Sequence, residues 1–167
     1  MGGHQPELQP IDSFEFRRIL GHWVSGVAVV AARAGDGRPC GLTANAVASL
    51  SLVPPLVLVC VDRGADSHDC IRDAGSFSIN VLPSDAERIA RQFAELEFGD
   101  KFDGIAHHIE ISGAPVLDEA LAWVDCRVHE AYPGGDHTIY IGEVLSGDAR
   151  AGAPLVYYRS GYGRLAP

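Results

Sequence analysis

Few residues in this 167-residue chain combine a reactive type with a setting that could use it. Asparagine occurs only at Asn45 and Asn80, each inside a segment of small or apolar residues, where backbone or a ligand must satisfy the amide. For Asn80 a tie to a neighbouring strand and a ligand contact stay open alike. In Gly41-Leu42-Thr43-Ala44-Asn45-Ala46 a hydroxyl and an amide stand two apart, hence on one face of a strand. The small residues beside them let a planar ligand approach the backbone. Lys101, the sole lysine, either neutralises one phosphate or is an ordinary solvated loop residue. His137 follows Pro133-Gly134-Gly135-Asp136, read as a flexible turn that lifts an imidazole to a pocket mouth, or else it is a polar strand end. His107 and His108 are adjacent, so they make no helical i, i+4 pair and point to opposite faces of a strand; no metal site is expected. Cys40, Cys60, Cys70 and Cys126 show no C-x-x-C spacing and are read as four free thiols in a reducing cytoplasm.

The elements that must position these groups follow from periodicity. Residues 1–11 read as a flexible leader. Asp12 caps a helix with Glu15 three residues on and Phe16, Ile19, Leu20 and Trp23 on one face. Val24 to Arg33, rich in β-branched residues, pairs through Gly35-Asp36-Gly37-Arg38 with a single extended segment, Cys40 to Leu52. Leu56 to Val61 is a continuous apolar run expected to be buried on both faces. Ser67 caps a short helix, Ser76 to Leu82 alternates as a strand, and Ser84 with Glu87 boxes a helix to about Glu97, with Ile89, Phe93 and Leu96 as its stripe. Segments Ile105 to Ile111, Trp123 to Tyr132, His137 to Leu145 and Pro154 to Tyr158 complete about seven or eight strands beside three helices. Short turns without strand-helix-strand alternation favour an antiparallel barrel with peripheral helices.

Composition narrows the chemistry. Thirteen basic against 22 acidic residues give a net charge of −9, which argues against nucleic acid and anionic membranes as partners. No apolar stretch is long enough to span a bilayer. There is no G-x-G-x-x-G turn and no P-loop, so any nucleotide is held in some other way.

In order along the chain, Gly26-Val27-Ala28-Val29-Val30, Gly41 to Ala46, Ser49-Leu50-Ser51-Leu52-Val53-Pro54-Pro55-Leu56-Val57-Leu58-Val59-Cys60, Phe77-Ser78-Ile79-Asn80-Val81-Leu82, Asp100-Lys101-Phe102, Gly135-Asp136-His137 and Gly161-Tyr162 resemble the flavin reductase domain family. Its members are NAD(P)H:flavin oxidoreductases that supply reduced flavin to two-component monooxygenases. The resemblance spans about Phe14 to Tyr162 and implies one domain over residues 12–167, an antiparallel Greek-key split β-barrel with about three peripheral helices, found as a homodimer. It implies FMN or FAD as cofactor, NADH or NADPH as hydride donor, a monooxygenase partner and a cytoplasmic setting. By position it places Thr43, Ala44 and Asn45 along the ribityl chain and ring, with Ala46 where many members carry serine and Ser49, Leu50 and Ser51 alongside. Cys60, Val61, Asp62, Arg63 and Ser67 then face the phosphate, with Lys101 as its cation. Asn80 and Phe102 complete the implied cofactor set, and His137 and Tyr162 border the nicotinamide. Split barrels also hold haem or deazaflavin, or act as pyridoxine phosphate oxidases, and these stand as the alternative reading.

Overall fold

The computed structural model describes residues 9–165, so residues 1–8 of the leader expected over residues 1–11 lie outside the described residues. In chain order the elements are α1 (Ser13–Leu20), β1 (Ser25–Gly26), β2 (Ala28–Arg33), β3 (Pro39–Ala44), β4 (Val47–Leu52), β5 (Pro55–Asp62), α2 (His68–Ala74), β6 (Ser76–Val81), α3 (Glu87–Glu95), β7 (His107–Ile109), β8 (Pro115–Leu117), β9 (Ala122–Gly134), β10 (His137–Ala149), β11 (Leu155–Tyr158) and β12 (Gly161–Arg164). The architecture is mainly β and antiparallel with three helices, as expected. Seven strands form one sheet in the order β3-β2-β6-β9-β10-β5-β4, and small sheets β1-β11-β12 and β7-β8 flank it.

Packing centres on β2. Ala28, Val30 and Ala32 join a cluster with Phe77, Cys126 and Tyr140, while Val27, Val29 and Ala31 join a second with Leu82, Ile89 and Phe93. The two sets alternate along the strand, so β2 is buried on both faces and its near-continuous apolar sequence is explained. The expectation of double burial for Leu56 to Val61 is corrected. In β5 only Val59 and Val61 are fully buried, while Leu58 and Cys60 on the other face stay partly open and line a cavity.

Other departures have local causes. The segment Cys40 to Leu52 is not one strand, because the chain breaks at Asn45-Ala46 and β3 and β4 become the two opposite edges of the seven-stranded sheet. Val24 to Arg33 likewise divides at Val27, where the chain passes from the small sheet to the large one. Asp12 does cap α1, accepting the Glu15 N–H at 2.8 Å. Ser84 caps nothing: its N–H goes to the Ala153 carbonyl at 2.8 Å beside the Pro83–Pro154 bridge, and α3 starts after Ala86. Leu96, expected in the α3 stripe, is exposed beyond the helix end. The hairpin before His137 is tight, with Gly134 facing His137 across a two-residue loop and Gly135 at φ +69°, so the ladder fixes the turn that looked flexible. Further along β10 a Cβ at Gly142 would lie 2.6 Å from Phe77 Cζ, so only glycine fits there.

The expectation of four free thiols is also corrected. Cys40 on β3 and Cys70 on α2 form a disulfide with Cα atoms 6.6 Å apart, leaving Cys60 and Cys126 free. Spacing in sequence hid a pairing that the packing of α2 on the sheet creates. Thiol titration of the denatured, unreduced protein should find two reactive cysteines and find four only after reductant; four before reductant would remove the bond.

Candidate functional site

The break at Asn45-Ala46 opens the wall of a cavity of about 740 Å³. Val47 and Ala48 from β4 and Leu58 and Cys60 from β5 form its apolar side, and Phe16 and Trp23 stand at its helical margin. His137 enters from the start of β10, beside the β5 end with which it pairs at Asp62. A volume of this order is typical of a small-molecule site with few convergent polar groups.

Three polar features face this space without a partner among the described residues. Ser25 Oγ is buried and makes no hydrogen bond, the only such side-chain atom among the described residues. The Asn45 side chain is exposed and has no hydrogen bond there either. The outer edge of β4 is unpaired, leaving backbone donors and acceptors available. An orphaned hydroxyl, a free amide and a strand edge around an apolar wall suit a planar heteroaromatic ligand with a polar rim. Burial pushes the Cys60 thiol up, so at neutral pH it is a neutral wall atom.

His137 Nδ1 lies 2.7 Å from Asp136 Oδ1. That contact lowers the Asp136 carboxyl, the hydrogen bond being the larger cause and the His137 and Arg17 charges adding to it. The contact commits Nδ1 to the carboxylate and leaves Nε2 as the ring's other nitrogen. The Arg63 N–H donates to the Asp136 carbonyl at 3.0 Å, joining the β5 end to the same hairpin. A second cavity of about 200 Å³ holds Thr43, Tyr157 and Tyr162 and shares Asn45 and Tyr157 with the first.

Comparison with known proteins agrees with this geometry. The profile of the flavin reductase like domain matches residues 20–166. The chain belongs to that family. It is 45% identical over 163 residues to the reductase component of a 4-nitrophenol 4-monooxygenase/4-nitrocatechol 2-monooxygenase from Rhodococcus opacus, covering 98% of this chain and 86% of the relative. It is 38% identical over 155 residues to an FMN reductase (NADH) from Agrobacterium fabrum, covering 93% and 87%. Among solved structures the NADH:FAD oxidoreductase of Streptomyces globisporus C-1027 superposes with a TM-score of 0.89 at 36% identity, covering 99% of this chain and all of the other. The sheet described above is therefore the family's split barrel.

Of the residues singled out from sequence, Asn45, Ala46, Cys60 and His137 meet at the larger cavity and Thr43 and Tyr162 at the smaller. Ser49, Leu50 and Ser51 run along the exposed β4 edge, with a register shift at Leu50. The others sit apart. Ala44 and Val61 face the core, and Thr43 Oγ1 donates to the Ala90 carbonyl at 2.6 Å. Asp62 accepts the Gly64 N–H, and Ser67 Oγ donates to the Gly41 carbonyl at 2.6 Å. Asn80 is wholly buried, its amide donating to Val29 O and Ser78 Oγ and accepting from the Leu117 N–H. Phe102 packs edge-on against Phe93. Lys101 is 4% exposed and its Nζ lies 2.6 Å from Asp66 Oδ1. Sequence reasoning did not single out Ser25, Arg17, Trp23, Tyr157 or Arg159, all of which line the larger cavity. Ser25 carried a weak signal, as the one hydroxyl in an apolar strand.

The Lys101–Asp66 pair is a structural tie between the segment after α3 and the one before α2. Lys101→Ala should lower stability by about 1 kcal/mol in urea unfolding, since it removes a buried stem and a charge-assisted hydrogen bond to a partly exposed carboxylate, whereas Asp66→Ala, which strands the buried ammonium, should cost more. An unchanged midpoint in Lys101→Ala would show that the pair holds nothing.

Proposed function

We propose that this protein is an NADH-dependent flavin reductase that hands reduced flavin to a monooxygenase component. The observation that carries the reading is the cavity in which Ser25 Oγ and the Asn45 amide lack partners while His137 faces the same space. Flavin supplies the hydride acceptor there and the nicotinamide the hydride. The protein binds, orients and excludes water. Asn45, Ser25 and the backbone of Ala46 to Ser51 would hold the polar rim of the ring, and Leu58 and Cys60 would give it an apolar wall. Thr43 shapes the wall, its hydroxyl being occupied. The phosphate is left to the end of β5, where Arg63 brings an unpaired guanidinium, whereas the Ser67 hydroxyl is buried on the Gly41 carbonyl and Lys101 already has a partner. His137, oriented by Asp136, positions the nicotinamide, and Tyr162 borders it from the smaller cavity.

The relatives named above are described for both FMN and FAD with NADH as donor, which supports NADH here and leaves either flavin accommodated. The Rhodococcus relative's role supports a monooxygenase acting on a phenolic substrate as the recipient. Residues 12–167 form the one functional domain of this reading. No helix among the described residues is long and apolar enough to cross a membrane. A cytoplasmic setting rests on the need for NADH and no longer on free thiols.

NADH oxidation should depend on added or bound flavin, and no turnover with either flavin and either nicotinamide would sink the enzyme reading. In the same assay His137→Ala should keep flavin affinity within about threefold and lower kcat/KM for NADH by about tenfold, roughly 1.4 kcal/mol of transition-state stabilisation. Loss of flavin with hydride transfer preserved at saturating flavin would place His137 on the other ligand.

The protein is further proposed to be a homodimer. Leu52 and Val53 at the β4–β5 turn are 90% and 92% exposed, and the unpaired β4 edge beside the cavity carries Leu50 outward. An open apolar edge of this kind invites a second chain, which would also cover the ligand. Sedimentation should give a dimer that Leu52→Glu with Val53→Glu weakens; a monomer with undiminished flavin reduction would reject the arrangement.

A further inference from the structure

Two of the four arginines without a side-chain partner among the described residues stand at one cavity mouth. Arg17 on α1 and Arg159 in the turn between β11 and β12 make no side-chain hydrogen bond or ion pair among the described residues, whereas eight of the other ten arginines do. Both line the large cavity that holds His137 and Asn45, and both line an adjoining cavity of about 320 Å³. The acidic excess of the protein makes two unpaired guanidiniums at one mouth an unusual local concentration of positive charge.

Their placement is built. Arg159 and Ser160 are the two described non-glycine residues with positive φ, +47° and +64°, at the centre of a two-residue hairpin loop between Tyr158 and Gly161. Such a turn ordinarily takes Asn-Gly, so side chains here carry a conformational cost that a functional position can justify. The loop is also fastened to the helix: the Arg159 N–H donates to the carbonyl of Gly21, the residue that caps α1, at 3.0 Å. Arg17 lies one turn back from that cap, so the hairpin and the helix end hold the two guanidiniums at one rim.

We propose that Arg17 and Arg159 form a subsite for the diphosphate of a dinucleotide whose reactive ring reaches His137. Two forked guanidiniums on separate elements match two adjacent phosphates, each able to take paired charge-assisted hydrogen bonds. The inference rests on the reductase reading and adds to it the group that anchors the far half of a ligand. The diphosphate has two sources, NADH and FAD; FMN has none.

Binding of ADP-ribose, a diphosphate without a redox ring, tests the subsite directly by calorimetry on the full chain. Arg17→Ala and Arg159→Ala should each weaken it about tenfold, with Lys substitutions recovering part, while the affinity for riboflavin stays within about twofold. With FMN as flavin, a loss in kcat/KM carried by the KM for NADH assigns the subsite to NADH. A fall in FAD affinity with FMN affinity kept assigns it to FAD. ADP-ribose binding at the parental level in the double variant overturns the proposal, as does an equal loss of riboflavin and FMN, which would mark a disturbed cavity. Arginine-dependent ADP-ribose binding in a protein without flavin-dependent NADH oxidation would keep the subsite and reject the reductase. Turnover with arginine-independent binding would do the reverse.

Discussion

The two edge strands of the large sheet are joined covalently by only two residues, Asn45 and Ala46. β3 and β4 lie at opposite ends of the strand order, so the sheet has to curl until its ends approach, yet the two strands do not pair with each other. What remains is a seam with unsatisfied backbone, bordered by small side chains and backed by β5. The cavity, the exposed β4 edge and the free Asn45 amide all follow from that one link. Curling in turn requires a strand that can be buried on both sides, and β2, with Val and Ala at every inward position, meets that demand.

The sequence reading succeeded where a local cause acts alone. The α1 cap at Asp12 and the β2–β3 turn at Gly35 to Arg38 depend on residues within a few positions, and both were legible. Failures arose where distant chain segments compete for the same group. Ser84 has the spacing of a cap, but its N–H on Ala153 ties the chain to the Pro83–Pro154 bridge and α3 starts only after Ala86, and Asn80 has the setting of a ligand contact but spends its amide on three strands. β5 was misjudged because an apolar strand face can meet a cavity as well as a core. The disulfide lay beyond pattern altogether, as Cys40 and Cys70 are brought together only by α2 folding over β3.

The site residues were half legible for the same reason. Asn45 and His137 announce themselves by rarity and by an adjacent turn, and the resemblance ordered them. Lys101 announced itself equally well and turned out to be committed to Asp66. Arg17 and Arg159 resemble the other ten arginines in sequence and differ from them in lining the cavity without a side-chain partner. Charge bookkeeping over a whole chain therefore says less about a site than knowing which charges are already neutralised.

Gly142 lies five residues from His137 on the same strand, yet it governs where that imidazole can be. Phe77 fills the space a side chain would need there, and the register shifts between Ile141 and Gly142, so the aromatic ring and the bare backbone act as tooth and notch. A two-residue slip of β10 would bring a side chain against that tooth and is barred. The reach of His137 into the cavity is thus gauged from the core as well as from the hairpin tip.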